Sequence, residues 1–221
     1  MRSIVGAVFV SLDGVMQAPG NPDEDPTGGF ELGGWLPPFF DASTATWVER
    51  LFGREFDLLL ARRTYDIFAA YWPFVEGDAK VLGEKFDRAA KYVVTRGDQP
   101  LAWHNSHRMR SLDDIAAVRR GSGPDLIVQG SATLYPQLLD RGLIDRLTVL
   151  TFPVVLGAGK RLFGDGSPAR SMRMLEHQVT SQGNVIATYE PAGDVKQASF
   201  GTFTPGPAEL ERRTKIAQGT W

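Results

Sequence analysis

The sequence predicts a three-layer α/β domain with a mostly parallel central sheet, and three observations lead to this prediction. From Ile4 to Asp145, apolar runs of strand length alternate with segments of helical spacing, which is typical of a parallel sheet with helices on its faces. The last third of the chain holds strand-like runs joined by glycine-rich turns, which indicates an antiparallel edge. With 221 residues, of which 43% are hydrophobic, the chain is long enough for a well-buried core.

Each element of the first half has its own signal in the sequence. The apolar run Ile4–Val10 predicts the first strand, and a loop rich in glycine and proline separates it from a helix that begins near Asp41. FDLLLARRT predicts a buried strand that ends in two arginines, and YDIFAAYW predicts a short helix. AKVLGEKFDRAA then predicts a helix and KYVVTR a strand.

The second half continues the alternation and then changes. Ser111 and Asp114 have the spacing of a capping box at the start of the helix SLDDIAAVRR, and the preceding WHNSHR is interpreted as a loop. DLIVQ predicts a strand, and ATLYPQLLDRG predicts a helix that stops at Gly142. RLTVLTFPVVLG, SMRMLEHQVTS and NVIATYEP predict the closing strands.

The composition changes after Pro191. Residues 192–221 contain few aliphatic side chains and a scattering of charge. We therefore predict one domain over residues 1–191 and a tail over residues 192–221, which is either mobile or packed on a partner subunit.

Composition and charge exclude several classes of function. The formal charge is −2, from 24 basic and 26 acidic residues without a charged block, so neither nucleic acid nor an anionic membrane is an expected partner. The chain has no cysteine, which excludes thiolate catalysis and cysteine-ligated zinc and fits a reducing cytoplasm. The run Ile4–Val10 is too short for a signal peptide or a membrane span. His104, His107 and His177 are too scattered to predict a metal site.

Two common nucleotide-binding motifs are absent. The first strand ends in SLDGVMQAPG rather than in G-x-G-x-x-G, and GAGKRLFG places Leu162 where a third glycine would stand. The same stretch fails as a phosphate loop, since Val154 and Arg161 occupy positions that require glycine and a hydroxyl side chain.

The strand-to-helix joint after DLIVQ is a candidate anion site. Backbone N–H groups at a helix start lack intrahelical partners, so they can bind phosphate. Gly130 lets the backbone approach a ligand closely, and the hydroxyls of Ser131 and Thr133 can donate to phosphate oxygens. In the alternative, Gly130 is a turn residue and Ser131 an ordinary helix N-cap.

A set of blocks in order resembles a known family. FVSLDGVMQAPG, GGWLPPFFD, LLLARRTYDIFAAYWP, KYVVTR, DLIVQGSATLYPQLLDRGLIDRL and PVVLGAGKRLF follow the pattern of the dihydrofolate-reductase-like family over residues 2–191. The branch is the one related to the reductase domain of bacterial riboflavin biosynthesis. The resemblance implies an NADPH-dependent reductase, often a homodimer, although the cysteine and histidine zinc motif of the usual fused deaminase is absent.

The resemblance also implies cofactor-binding residues. The NADPH pyrophosphate would lie at the strand-to-helix joint, and the adenosine and its 2′-phosphate would lie between the ends of two strands. Gly157 and Gly159 either approach the cofactor or simply form a tight turn. The family usually has glycine at the position of Ala61, so the added methyl group bears on cofactor affinity. The candidate residues are Ala61, Arg62, Arg63, Thr64, Thr95, Arg96, Gly130, Ser131, Ala132, Thr133, Leu134, Gly157 and Gly159.

The residues at the substrate each have a second interpretation. Asp41 is the candidate acid, one residue farther from Trp35 than in the familiar enzymes, and it would need a raised pKa; alternatively it is a helix N-cap. Asp13 matches a loop near the nicotinamide, or it is only a turn residue. Trp35, Phe39 and Phe40 form a stacking wall or belong to the core. The expected substrate is a small pterin-like or pyrimidine-like ring, or a carbonyl or imine; the alternative function is nucleotide binding without turnover.

Overall fold

A computed structural model describes all 221 residues, and one eight-stranded sheet organises the chain in the order β4-β3-β2-β5-β1-β6-β8-β7. Strands β1 to β6 run parallel to one another, whereas β8 pairs antiparallel with both β6 and β7. The strands are β1 Ile4–Ser11, β2 Phe56–Ala61, β3 Lys91–Val94, β4 Ser106–Met109, β5 Asp125–Gln129, β6 Arg146–Phe152, β7 Met172–Val179 and β8 Val185–Pro191.

Helices cover both faces of the parallel part of the sheet. One core packs Trp47, Tyr65 and Phe86 of α1, α2 and α3 against one face. The other core packs Ile115 of α4 and Tyr135 of α5 against the opposite face. The helices are α1 Ala42–Leu51, α2 Arg62–Tyr71, α3 Lys80–Arg88, α4 Leu112–Arg120, α5 Tyr135–Asp140 and α6 Pro207–Ala217.

The predicted three-layer α/β fold with an antiparallel edge is confirmed, and the capping box of α4 is present. One prediction is wrong in detail: the segment interpreted as a loop before Ser111 contains the edge strand β4, whose three consecutive polar side chains hide a strand pattern. The strand can be polar because it lies at the edge of the sheet, where only one of its two sides pairs with another strand.

The tail contains a helix, α6, which its composition did not predict. Helix α6 begins after Gly206 with Pro207 in its first turn, a position where proline suits a helix, and Glu209 pairs with Arg212 and Arg213. None of its side chains is buried. None of the helices is both long and apolar enough to cross a membrane.

The topology positions the candidate site. Because β1 to β6 are parallel, their carboxyl ends share one edge of the sheet, and the segments that follow them meet there. The predicted strand ends at Arg62, Arg96 and Gly130 are therefore neighbours.

Candidate functional site

A cleft of about 1600 Å³ opens at this edge. Ala61–Thr64, Val94–Arg96 and Gln129–Leu134, which follow β2, β3 and β5, line one end. The other end is lined by Phe9 of β1 and the segment Met16–Asp25. The structure thus brings together the predicted cofactor-binding residues from Ala61 to Leu134.

The joint after β5 is more tightly built than a simple helix start. Gly130 and Ser131 both have left-handed backbone conformations, with φ of 58° and 59°. The Ser131 hydroxyl accepts a hydrogen bond from the Ala61 N–H at 2.9 Å, and the Ser131 N–H donates to Thr64 Oγ1 at 2.9 Å. These two side chains fasten the joint to the start of α2.

This geometry corrects one interpretation. Ser131 is not a helix N-cap, because α5 begins only at Tyr135 and Leu134 is its cap residue. The residues between the strand and the helix form a turn, closed by the hydrogen bond from Leu134 N–H to Ser131 O at 2.8 Å. Sequence spacing missed this turn since apolar periodicity does not reveal where the helical backbone begins.

The joint presents unpaired donors to the cleft. The N–H groups of Ala132 and Thr133 have no hydrogen-bond acceptor within the chain. Helix α2 starts directly opposite, after Ala61, with no side-chain cap, so its first N–H groups are also without side-chain partners. Two sets of free donors at one position form a cradle for an anionic group.

The arginines of the cleft fall into two classes. Arg62 donates from Nε to both carboxylate oxygens of Asp66, at 2.8 and 2.9 Å, and Arg110 is paired with Asp98. Arg63 and Arg96 are exposed and have no side-chain partner. Of the two arginines after β2, the second is therefore the one available to a ligand.

The opposite end of the cleft has apolar walls and one cluster of hydrogen-bonded polar residues. Phe9 and Leu36 contribute apolar surface here, whereas Phe68 and Trp72 of the cleft lining pack on Phe86 of α3. This polar cluster consists of Gln17, Asp25 and Lys160. Lys160 Nζ lies 2.5 Å from Asp25 Oδ2, and Gln17 Nε2 donates to the Asp25 carbonyl at 2.8 Å. Gln17 Oε1 also accepts the Lys160 N–H at 3.0 Å, so the segment after β1 is held against the turn after β6.

Glu24 is a cleft residue that the sequence interpretation did not single out. Its Oε2 accepts the N–H groups of Gly20 at 2.7 Å and Asn21 at 3.2 Å, and no cation pairs with it. Burial is the largest effect and raises its pKa, against the opposing backbone N–H groups. The signal was the acidic run PDEDP within a glycine-rich loop, which marks a chain segment without identifying its function.

Asp41 lies outside the cleft. It is the N-cap of α1, as the alternative interpretation predicted, and it accepts the Thr44 N–H at 2.9 Å. Its second oxygen faces the turn after β7 and accepts the Gln182 N–H at 3.2 Å. Hydrogen bonding from the Thr180 hydroxyl, with the donors of Thr44 and Gln182, lowers the pKa of Asp41. A carboxyl group in this setting is ionised at neutral pH.

The predicted aromatic wall is not part of the cleft lining. Trp35 is buried in the core, where Nε1 donates to the Gln17 carbonyl at 2.9 Å and the ring meets Phe152 edge-on. Phe39 is partly buried against the same core, and Phe40 is 42% exposed.

Asp13 clamps the turn that contains Gly157 and Gly159. Its carboxylate accepts the Ser11 hydroxyl at 2.6 Å and the N–H groups of Leu156 and Gly157 at 3.0 and 2.9 Å. The Ser11 hydroxyl and these N–H groups lower the pKa of Asp13 to about 2. Gly159 has φ of 121° and packs so closely that a Cβ would lie 2.6 Å from Val15 Cγ1. Asp13 and both glycines lie beside the cleft lining rather than in it.

Three solved structures have a similar fold. A proposed riboflavin biosynthesis protein from Shewanella sp. PV-4 matches with a TM-score of 0.58 at 19% identity, covering 86% of this chain and 99% of that one. Dihydrofolate reductase from Enterococcus faecalis, complexed with NADP(H), matches with a TM-score of 0.55 at 11% identity over 86% and 96% of the chains. A pyrimidine reductase-like protein from Corynebacterium diphtheriae gives 0.54 at 13% identity over 87% and 93%.

Sequence comparison assigns the family. The uncharacterized protein YyaP of Bacillus subtilis (strain 168) is 28% identical over 138 residues, which cover 60% of this chain and 72% of that protein. The family model of the RibD C-terminal domain matches residues 2–186, nearly the whole sheet-forming region. The fold is thus of the reductase type, and the chain belongs to the RibD C-terminal domain family.

Proposed function

We propose that this protein is an NADPH-dependent reductase that transfers a hydride to a small heteroaromatic ring or to a carbonyl or imine group. The observation that carries the proposal is the combination, at one edge of the sheet, of a cradle of unpaired N–H groups with two unpaired arginines. The cradle suits a pyrophosphate, and the arginines suit an additional phosphate.

Strand order sets the direction in which the cofactor would lie. Arg63 and Arg96 follow β2 and β3, and the cradle of Ala132 and Thr133 follows β5. The next strand is β1. An extended dinucleotide with its 2′-phosphate at the arginines and its pyrophosphate at the cradle therefore directs its nicotinamide toward Phe9 and Met16.

NADPH would supply the hydride, and the protein supplies position and electrostatics. The N–H cradle and the arginines hold the two phosphate-bearing parts. The apolar side chains of Phe9, Met16 and Leu36 exclude water from the reactive end and favour a flat ring stacked against the nicotinamide.

Two observations favour a second candidate, a nucleotide-binding protein without turnover. Asp41, the acid expected from the family pattern, lies outside the cleft and has a lowered pKa. Ala61 also adds a methyl group where the family usually has glycine. Both candidates require the cofactor cradle, so they differ only in whether bound NADPH is oxidised.

The proposal is tested by titrating the protein with NADPH and, separately, with NADH, and following nicotinamide fluorescence. We expect a preference for NADPH of more than about tenfold, equivalent to about 1.4 kcal/mol. Arg63→Ala should abolish most of this preference, because Arg63 has no other partner. Arg120→Ala, an exposed arginine at the end of α4, is the matched control and should leave it unchanged. Failure to bind either nucleotide would contradict both candidates.

A further inference from the structure

The loop of residues 96–99, which follows β3, has its carbonyl groups bound by arginine side chains. Arg108 of β4 donates from Nη1 to the Gly97 carbonyl and from Nη2 to the Gln99 carbonyl, the latter at 2.6 Å. Three further bonds come from two more arginines: Arg110 donates to Arg96 O at 2.8 Å and to Gly97 O at 3.1 Å, and Arg62 donates to Gln99 O at 3.0 Å. Guanidinium groups thus cover the negative ends of the peptide dipoles at three of the four loop residues.

The N–H groups of the same loop are mostly left without acceptors. The Gly97 N–H donates to Thr95 Oγ1 at 3.2 Å. Those of Arg96, Asp98 and Gln99 have no acceptor within the chain. Neighbouring backbone N–H groups without partners are a common means of binding anions. Because its carbonyl groups are occupied by cations and its donors are free, the loop is suited to a negatively charged ligand.

Arg108 differs from the other two arginines in its charge balance. Arg62 is paired with Asp66, and Arg110 is paired with Asp98. Arg108 forms no salt bridge, so its hydrogen bonds to carbonyl groups hold the loop without neutralising the guanidinium charge. The residue is half-buried and does not belong to the cleft lining. It therefore supports the loop from behind, and any effect on a ligand in the cleft passes through the loop.

We propose that Arg108 is the positioning residue that gives the cleft its preference for NADPH over NADH. By binding the Gly97 and Gln99 carbonyl groups together, it fixes the loop conformation in which Arg96 and the free N–H groups receive the 2′-phosphate. This inference rests on the proposed function, which assigns the 2′-phosphate to Arg63 and Arg96. NADH has no 2′-phosphate, so the contribution of Arg108 is confined to NADPH.

The test is calorimetric titration of Arg108→Met with NADPH and, separately, with NADH. Methionine keeps part of the apolar stem while removing the charge and both hydrogen bonds to the loop. We expect the affinity for NADPH to fall by about tenfold or more, as for the loss of a hydrogen bond to a charged group. The affinity for NADH should stay that of the parent protein, a split that general destabilisation would not produce.

Two further variants define the cause. Arg108→Lys keeps the positive charge but lacks the planar fork that reaches two carbonyl groups at once, so it should lose NADPH affinity as Arg108→Met does. Arg146→Met makes the same chemical change at an exposed strand residue outside the cleft lining, and it should leave both affinities unaltered. Thermal denaturation shows whether each variant is folded, and if Arg108→Met is not, Arg108→Lys decides the question.

The outcomes are distinguishable from failure of the proposed function. If the parent protein binds neither nucleotide, or binds both equally, the proposed site for the 2′-phosphate fails and this inference fails with it. If the parent protein prefers NADPH and Arg108→Met keeps that preference, or weakens both nucleotides equally, only the role of Arg108 is overturned. It is also overturned if Arg108→Lys binds NADPH as the parent protein does, because charge alone would then account for the preference.

Discussion

Replacing Gly130 by alanine should damage both the fold and the cofactor cradle. Gly130 has φ of 58°, and an added Cβ would lie 2.9 Å from Thr64 Cγ2 and 3.2 Å from Thr64 Oγ1. The left-handed backbone costs an alanine about 1–2 kcal/mol. Displacing a packed neighbour typically adds about 1–3 kcal/mol. Together these effects predict a loss of about 2–5 kcal/mol in the free energy of unfolding.

The displaced residue connects this loss to binding. Thr64 Oγ1 accepts the Ser131 N–H at 2.9 Å, so moving Thr64 shifts the turn that presents the N–H groups of Ala132 and Thr133. We expect the affinity for NADPH to fall by about tenfold or more, equivalent to 1.4 kcal/mol. Urea denaturation measures the stability change, and fluorescence titration with NADPH measures the affinity.

Gly142→Ala provides a matched control. Gly142 has φ of 60° and no atom within 4 Å of an added Cβ, so the variant has the same backbone cost without the steric contact. It should lose about 1–2 kcal/mol and bind NADPH normally. Equal destabilisation in the two variants, or normal NADPH binding by Gly130→Ala, would refute the reasoning.

Three further predictions concern single side chains. Asp13→Asn should lower the melting temperature at pH 7 and reduce the loss of stability between pH 4 and 2. The reason is that the depressed pKa of about 2 makes Asp13 stabilising only while it is ionised. An equal acid transition in both proteins, or the same effect from the exposed control Asp165→Asn, would contradict this prediction. Asp41→Ala should lower the melting temperature through loss of the α1 cap, yet leave NADPH affinity unchanged; a large fall in affinity would contradict the position of Asp41 outside the cleft. Lys91 is fully buried, and burial lowers its pKa from 10.5 to about 8. Because the folded state releases this proton at a lower pH than the unfolded state, the free energy of unfolding should rise between pH 8 and 9.5. Denaturation of Lys91→Met should lack that rise.

Much of the fold could be predicted because its signals are local. The apolar runs of β1, β2 and β5 are buried on both faces of a parallel sheet, so they stand out as continuous stretches. Strand β4 could not be found in this way, since it lies at the sheet edge with only Met109 buried. The helix boundary at Tyr135 was also missed, because it depends on a turn held by Thr64, a residue distant in sequence.

Some residues of the candidate site could likewise be predicted from the sequence, whereas others could not. Residues that follow strands, such as Arg63, Arg96 and Gly130, were predicted to meet from the family resemblance, and the structure brings them together because parallel strands end at one edge of the sheet. Asp41 and Glu24 could not be distinguished by type or loop position. Only the packing shows that one carboxylate caps a helix against the turn after β7, whereas the other faces the cleft.

The paired hydrogen bonds between Ser131 and the start of α2 have a thermodynamic consequence. Ser131 accepts from Ala61 and donates to Thr64, so the two chain turns that face the anion are ordered as a single unit when the protein folds. A phosphate that enters this unit does not have to organise two loops at the cost of their conformational entropy. Binding should therefore be fast, dominated by enthalpy, and accompanied by little change in hydrogen exchange at Gly130 and its neighbours.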